Sequence, residues 1–273
     1  MDSLTPALFI GHGSPMTPVT ENPERRAIEA LGRRLPRPKA ILCVTAHWET
    51  HGRTHVTAGP SPRTIHDFSG FPRELYEVRY PAPGAEGLAS RVADLVGAER
   101  IVADTGWGFD HGVWGVLMPL FPDAQVPVLA MSLDRSLDAS GHLAIGRQLR
   151  PLRREGVMIV GSGNVVHNLS MWRALAGSKP DWALDYQQRV STAVLAGDVD
   201  ALLSFHPDDA AAAAAVNSAE HFLPLLYPLG ASEADEPVTI FNDTVDGAIS
   251  MTSYLFGDPG LLDGTVALTA ATA

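Results

Sequence analysis

The amino-acid sequence predicts an α/β fold, in which a single domain contains a central, mostly parallel β-sheet flanked by helices on both faces. Two observations support this prediction. Short apolar segments, of the kind found in buried strands, alternate along the chain with longer segments of helical periodicity. In addition, 273 residues with 45% hydrophobic content are enough to bury one large core.

The predicted strands are short apolar runs, most of them rich in valine and isoleucine, whose branched side chains favour extended backbone. In chain order, these strands are expected at residues 7–10, 40–46, 127–132, 157–161 and 238–241. The predicted helices carry apolar residues three or four positions apart. They are expected at residues 24–35, 86–96, 139–154 and 182–195.

The domain is expected to span residues 1–257, and the small, weakly patterned residues 258–273 are expected to form a disordered tail. Two proline- and glycine-rich segments, 59–72 and 81–84, are too long for tight turns and are expected to be loops that wall a site. Ligands of such sheets usually bind at the carboxyl ends of the strands.

Composition argues against several classes of partner. A formal net charge of −11 does not suit a phosphate backbone, so no nucleic-acid partner is expected. The apolar runs are much shorter than the roughly 20 residues of a membrane span, and no signal-peptide pattern is present, so a cytoplasmic protein is expected. Cys43 is the single cysteine and lies in an apolar strand, which favours core packing.

Three histidines stand where predicted strands end. His12 follows the first strand, His47 follows the second, and His167 follows the strand at 157–161. If these strands are parallel, three imidazoles meet at one edge of the sheet, and imidazole is the commonest metal ligand in proteins. The sequence therefore predicts a metal site at this edge.

Glycine-rich turns next to these histidines do not complete other known motifs. Met16 and Val166 stand where the dinucleotide-binding fingerprint needs its third glycine. The nucleophile elbow of the serine hydrolases needs glycine two positions before and two positions after its serine. Around Ser162 these positions are Val160 and Asn164, so this motif is absent.

A larger set of motifs occurs in one order over about residues 7 to 255. They are GHGSPM (11–16), TAHW (45–48), TIHDFSGFP (64–72), YPAPG (80–84), WGFDHGVWGVL (107–117), GSGNVVHNL (161–169) and EHFLPLLYPLGA (220–231). Together they resemble the class III extradiol ring-cleavage dioxygenases, and within that family the DOPA 4,5-dioxygenase branch.

This resemblance implies a mononuclear non-haem metal site. By motif, His12 and His47 are the first two metal ligands, and His221 is the third. More distant members use a glutamate as third ligand, and Glu220 precedes His221, so both residues remain candidates. His167 matches an acid/base position of the wider family and is also counted as a metal ligand when zinc is bound.

The resemblance further implies a set of residues around the substrate. His111 is expected to act in catalysis and to contact the substrate, and His66 and Trp107 are expected to bind it. Asp67 or Asp110 could orient a neighbouring imidazole. The remaining histidines match no motif and are expected at the surface: His51, His55, His142 and His206.

The implied activity is an Fe(II)-dependent extradiol dioxygenase with one iron per chain. It would open the ring of a small, DOPA-like catechol with O2 to give a product of the muconic-semialdehyde type. Zn(II) can occupy the same ligands without supporting the redox step. Two alternatives stay open from the sequence: a zinc-dependent hydrolase that uses the same histidines, and a non-catalytic metal-binding relative. The natural catechol, the bond that is cleaved and the oligomeric state are left undetermined.

Overall fold

The computed structural model describes residues 4–206 and 209–263. Its strands are β1 (Ala7–Gly11), β2 (Ala40–Thr50), β3 (Thr54–Thr57), β4 (Ile101–Asp104), β5 (Val128–Asp134), β6 (Val157–Gly163), β7 (Val238–Phe241), β8 (Val245–Asp246), β9 (Ile249–Ser250) and β10 (Ser253–Phe256). Its helices are α1 (Pro23–Arg34), α2 (Leu88–Val96), α3 (His111–Leu120), α4 (Ala139–Leu149), α5 (Pro151–Arg154), α6 (Leu169–Leu175), α7 (Asp181–Ala196), α8 (Val199–Leu203), α9 (Ala210–Ala215) and α10 (Leu226–Ala231).

The main sheet has the strand order β4-β3-β5-β2-β6-β1-β10-β7. Its centre, β5-β2-β6-β1, is parallel throughout, whereas β10 runs antiparallel to both β1 and β7. The prediction of an α/β fold with a mostly parallel sheet is therefore confirmed. The parallel centre brings the carboxyl ends of β1, β2 and β6 to one edge.

Helices cover both faces of this sheet, and alternate strand residues supply the two cores. Leu42 and Val44 of β2 face the core that α2, α4, α7 and α10 cover. Ile41 and Cys43 face the core beneath α1 and α3, and Cys43 is fully buried there, as predicted. This two-sided burial explains why the central strands are almost continuously apolar.

Five predicted strands correspond to β1, β2, β5, β6 and β7, but three strands of the main sheet and several helices, including α3 and α6, were not predicted. The helix expected over residues 139–154 is broken, since α4 ends at Leu149 and α5 begins at Pro151. Proline has no backbone N–H to continue a helical hydrogen-bond pattern, so it serves as the first residue of a new helix.

The segment expected as a tail begins with a short 3₁₀ turn at Pro259–Leu262, and its residues 264–273 lie outside the described residues. Among the helices that the structure describes, none is both long enough and apolar enough to span a membrane.

Candidate metal centre

Five histidines converge at the edge of the sheet that the sequence indicated. His12 directly follows β1, His47 lies near the end of β2, and His111 begins α3. The ring centroids of His12 and His47 are 4.9 Å apart, and each lies 5.1 to 5.2 Å from that of His221. The rings of His167 and His221 stack with their centroids 3.4 Å apart.

The orientation of His12 is fixed by β6. Its Nδ1 lies 3.0 Å from Ser162 Oγ, and that hydroxyl donates its proton to the carbonyl of Gly112 at 2.5 Å. The serine oxygen is therefore the acceptor for His12 Nδ1–H. With the proton on Nδ1, the Nε2 atom of His12 carries a free lone pair.

Asp67 orients two further imidazoles at once. Its Oδ2 lies 2.9 Å from Nδ1 of His47 and 2.9 Å from Nδ1 of His111, and its Oδ1 accepts the backbone N–H of His111 at 2.8 Å. A carboxylate can only accept these bonds, so both rings carry their proton on Nδ1. Nε2 of each ring is left as a lone-pair donor.

His221 is held by its own neighbour and by β6. Glu220 Oε1 lies 2.8 Å from His221 Nδ1, and the carbonyl of His221 accepts the backbone N–H of Asn164 at 2.8 Å. A Cβ on Gly163 would stand 2.1 Å from that same carbonyl oxygen, so only glycine permits this approach. Nε2 of His221 is buried and has no hydrogen-bond partner within the described residues.

These nitrogens fit a metal ion. One ligand atom from each of His12, His47 and His221 lies within 4.8 Å of the others, and the Nε2 atoms of His12 and His47 are 3.1 Å apart. That distance is about the spacing of two nitrogens that share one ion at roughly 2.1 Å each. A buried lone pair without a donor is costly, and a cation would satisfy it. The carboxylate of Glu220 instead lies within hydrogen-bonding distance of Nδ1 of His221.

The electrostatic environment keeps most of these rings neutral. Burial, and then the neighbouring imidazoles, lower the pKa of His12 and of His221 well below the usual value. Burial also opposes charge on His47, but its hydrogen bond to Asp67 and the charge of Asp110 raise its pKa overall. Burial likewise disfavours ionisation of Asp67, yet its bonds to His111 and His47 lower the pKa of its carboxyl.

His167 and His111 lie beside the group formed by His12, His47 and His221. His167 shares a group of close ligand atoms with Glu220 and His221, but not with His12 and His47. Burial lowers the pKa of His167 to about 4. Burial and the proximity of His47 lower the pKa of His111. Both rings are therefore neutral near pH 7 and able to accept a proton.

The histidines form the floor of a cleft with a volume of about 580 Å³. Residues 67–71, which belong to one of the proline- and glycine-rich loops, line one side of it. Leu169, Trp172 and Arg173 of α6 also line it. The segment 81–84, also expected at the site, lies elsewhere, because it pairs with Val128 at the start of β5.

Two predicted substrate contacts are not among the residues that line the cleft. His66 lies 3.0 Å from the carbonyl of Val78 through its Nε2. Trp107 stacks on Trp48 and donates its indole N–H to Asp110 at 3.1 Å. Both residues therefore contact protein groups near the site and do not form part of the cleft wall.

Asp110 has a structural role. Its side chain caps the start of α3 through Val113 N and accepts the hydroxyl of Thr45 at 2.7 Å. Through these bonds Asp110 ties the helix that begins with His111 to the strand that carries His47.

The remaining histidines were all expected at the surface, and one of these expectations is wrong. His142 is fully buried and lies 2.9 Å from the hydroxyl of Tyr227 through Nδ1. His51 and His206 are exposed, and His55 is partly buried beside Asp104. His142 sits on the inner face of the amphipathic α4, which is the signal that could have located it.

Sequence reasoning also missed Arg173. No motif includes this residue, and only its position four residues after Leu169 on one helix points to the cleft. The role of Ser162 as an orienting group was likewise not predicted, since its contact with His12 joins segments that are distant in the chain.

Comparison with known proteins identifies the family of this chain. Residues 6–256 match the family described as the catalytic LigB subunit of aromatic ring-opening dioxygenase. The chain is 44% identical over 261 residues to the 4,5-DOPA dioxygenase extradiol of Escherichia coli K12, covering 92% of this chain and 94% of that relative. A protein of the same name from Beta vulgaris is 33% identical, with 93% and 97% covered.

Among solved structures, an uncharacterized protein from Escherichia coli K12 superposes with a TM-score of 0.80 and 39% identity. The match covers 93% of this chain and 100% of the other. The family match over nearly the whole chain, together with these relatives, shows that the chain belongs to the LigB family of aromatic ring-opening dioxygenases.

Proposed function

We propose that this protein is an Fe(II)-dependent extradiol dioxygenase that opens the ring of a small, DOPA-like catechol. One iron per chain would be held by His12, His47 and His221. The observation that carries this proposal is the convergence of three Nε2 lone pairs, each freed because the Nδ1 atom of its ring is hydrogen-bonded. The names of the relatives support an extradiol reaction and a DOPA-like substrate.

When bound, Fe(II) would supply a common site for the two catechol oxygens and O2, with the redox capacity that Zn(II) lacks. Both oxygen atoms would enter the product, and the carbon–carbon bond beside the diol would break. The product would be of the muconic-semialdehyde type. Zn(II) fits the same nitrogens but cannot support the redox step, so a zinc-loaded protein would be inactive.

His111 is proposed as a base that also contacts the substrate. Its Nδ1 proton is committed to Asp67, so Nε2 can accept a proton from a catechol hydroxyl. The ring lines the cleft beside Phe68, whose centroid is 5.7 Å away. Asp67 would stabilise the imidazolium that forms, because it already accepts the Nδ1–H bond.

His167 is proposed as a second acid/base group rather than as a fourth metal ligand. Its ring lines the cleft and stacks on His221, but its ligand atoms are not grouped with those of His12 and His47. A neutral imidazole at this position could take a proton from the substrate and return it to the ring-opened product.

The cleft would also hold the aromatic ring and exclude water. Phe68 and Phe71 line it next to the histidines, and their rings pack at 5.2 Å in an edge-to-face arrangement. Aromatic side chains of this kind can flank a planar substrate. Since His66 and Trp107 do not line the cleft, they would support the site without contacting the catechol.

The test is anaerobic reconstitution of metal-free protein with Fe(II), followed by a catechol and then oxygen. We expect one iron per chain, uptake of O2 and appearance of a yellow semialdehyde. No uptake with DOPA, 4-methylcatechol or dopamine would overturn the proposal. Zinc-dependent cleavage of esters or amides, without oxygen uptake, would identify a hydrolase, and metal binding without either reaction would identify a non-catalytic relative.

A further inference from the structure

Arg173 differs in charge from the rest of the cleft. It is the one arginine or lysine among the described residues that line the cleft, and its side chain is exposed. Within residues 4–206 and 209–263 it has no ion pair and no hydrogen bond from its guanidinium. Many other surface arginines do have a carboxylate partner, such as Arg37 with Asp123 and Arg91 with Glu155.

The placement of Arg173 on α6 follows from helical periodicity. Trp172 and Arg173 follow Leu169 by three and four positions, so both lie on the same face of the helix as Leu169. All three residues line the cleft. The diol end of a catechol belongs at the histidine floor. Since Arg173 lines the same cleft, a substituent directed away from that floor toward α6 would meet the guanidinium.

Arg173 is a cation in a protein whose net charge is negative. The protein has a formal net charge of −11, which repels anionic ligands. Asp67 is the one carboxylate among the described cleft residues, and both of its oxygens already accept hydrogen bonds from the His111 backbone and the two imidazoles. An unpaired guanidinium offers two parallel N–H donors, the arrangement that matches a carboxylate.

We propose that Arg173 binds a carboxylate on the side chain of the substrate, so that the preferred substrates are catechols whose side chain ends in a carboxylate. This inference rests on the proposed function, because the diol must occupy the histidine floor. Arg173 would thus determine specificity through the carboxylate of a DOPA-like molecule and not through its amine.

The test compares four catechols that differ in charge. DOPA carries a carboxylate and an amine, 3-(3,4-dihydroxyphenyl)propionate carries the carboxylate alone, dopamine carries the amine alone, and 4-methylcatechol carries neither. In the iron-loaded protein, Arg173→Gln should lower kcat/KM about three- to fivefold for the two carboxylates, through KM, which is the size expected of an exposed ion pair. Values for dopamine and 4-methylcatechol should stay within twofold.

Two further substitutions sharpen the result. Arg173→Lys should keep most of the preference for carboxylates, whereas Arg173→Glu should shift the preference toward dopamine. Arg33→Gln is the matched control, because Arg33 is also an exposed helical arginine and lines no part of the cleft. It changes the net charge equally and should leave all four substrates unaffected.

A binding measurement separates this inference from the proposed function. Calorimetry of 3-(3,4-dihydroxyphenyl)propionate with zinc-loaded protein requires no turnover and should show weaker binding to the Arg173→Gln protein. Equal effects on all four catechols, or no effect on the carboxylates, would overturn the role of Arg173 while leaving ring cleavage intact. Absence of ring cleavage would instead overturn the proposed function, and the binding comparison would still decide the role of Arg173.

Discussion

Nε2 of His12 lies 3.1 Å from Nε2 of His47, and the Nδ1 atom of each ring is hydrogen-bonded to another group. The proton of His12 is directed to Ser162 and that of His47 to Asp67. A metal ion bound between the two Nε2 atoms would take a lone pair from each ring. These contacts fix the direction in which both rings point.

Replacing His12 with alanine should abolish metal binding, because it removes one of the three proposed ligands. We expect the metal content to fall from about one per chain to near zero, measured by atomic absorption after reconstitution with Fe(II) or Zn(II). His51→Ala is the control, since His51 is exposed and remote from the cleft. Retention of full metal content by the His12→Ala protein would contradict the assignment.

Replacing His167 with alanine should leave the metal in place and slow turnover. An acid/base group typically contributes 100-fold or more to the rate, so kcat for a catechol should fall by at least about that factor. The measurement is oxygen uptake, normalised to iron content. A loss of metal equal to that of the His12→Ala protein would show that His167 is a ligand.

Asp67→Asn should impair the site without removing a ligand. Asparagine has one acceptor oxygen, so its NH2 group would face either the backbone N–H of His111 or the two Nδ1–H groups, and His47 and His111 would lose their common orientation. Loss of such an outer partner commonly costs 10- to 100-fold in metal affinity or activity. Competition with a chelator measures the affinity. Asp104→Asn is the matched control, because Asp104 accepts the same kind of bond from His55 and does not line the cleft. This substitution should leave the metal affinity and the activity unchanged.

Gly163→Ala should displace His221. The added methyl group would meet the backbone oxygen of His221 at 2.1 Å, and backbone cannot move aside cheaply. We expect a loss of stability of about 1 to 3 kcal/mol, visible as a lower Tm, together with weaker metal binding. Gly115→Ala is the control, because a Cβ at that buried helical position meets no heavy atom within 4 Å. Equal effects in the two variants would contradict this account.

The sequence predicted the central strands and three of the five histidines from strand ends alone, because a parallel sheet collects its carboxyl ends at one edge. Family motifs supplied His111 and His221. The sharing of Asp67 by two rings and the hydroxyl relay through Ser162 depend on segments that are distant in the chain, so no local pattern reveals them. His142 was misplaced because a histidine without a motif was assumed to face solvent, whereas the apolar face of α4 buries it.

His142 predicts a pH dependence of stability that is separate from the metal centre. Burial lowers its pKa from 6.5 to about 4, despite the nearby Asp134 and Asp138 carboxylates. Between these two values the unfolded chain binds a proton that the folded protein does not, so stability falls as the pH drops from 6.5 toward 4. At pH 5 the loss from this residue is about 2 kcal/mol relative to neutral pH.

His142→Gln removes this titration, because glutamine has no group that ionises in the range. The difference in unfolding free energy between pH 7.5 and pH 5, obtained from urea titrations, should therefore be smaller in the variant by about 2 kcal/mol. His51→Gln, at an exposed position, should leave the difference unchanged. If the His142→Gln protein showed the same acid sensitivity as the original chain, the buried imidazole would not be the group that binds the proton.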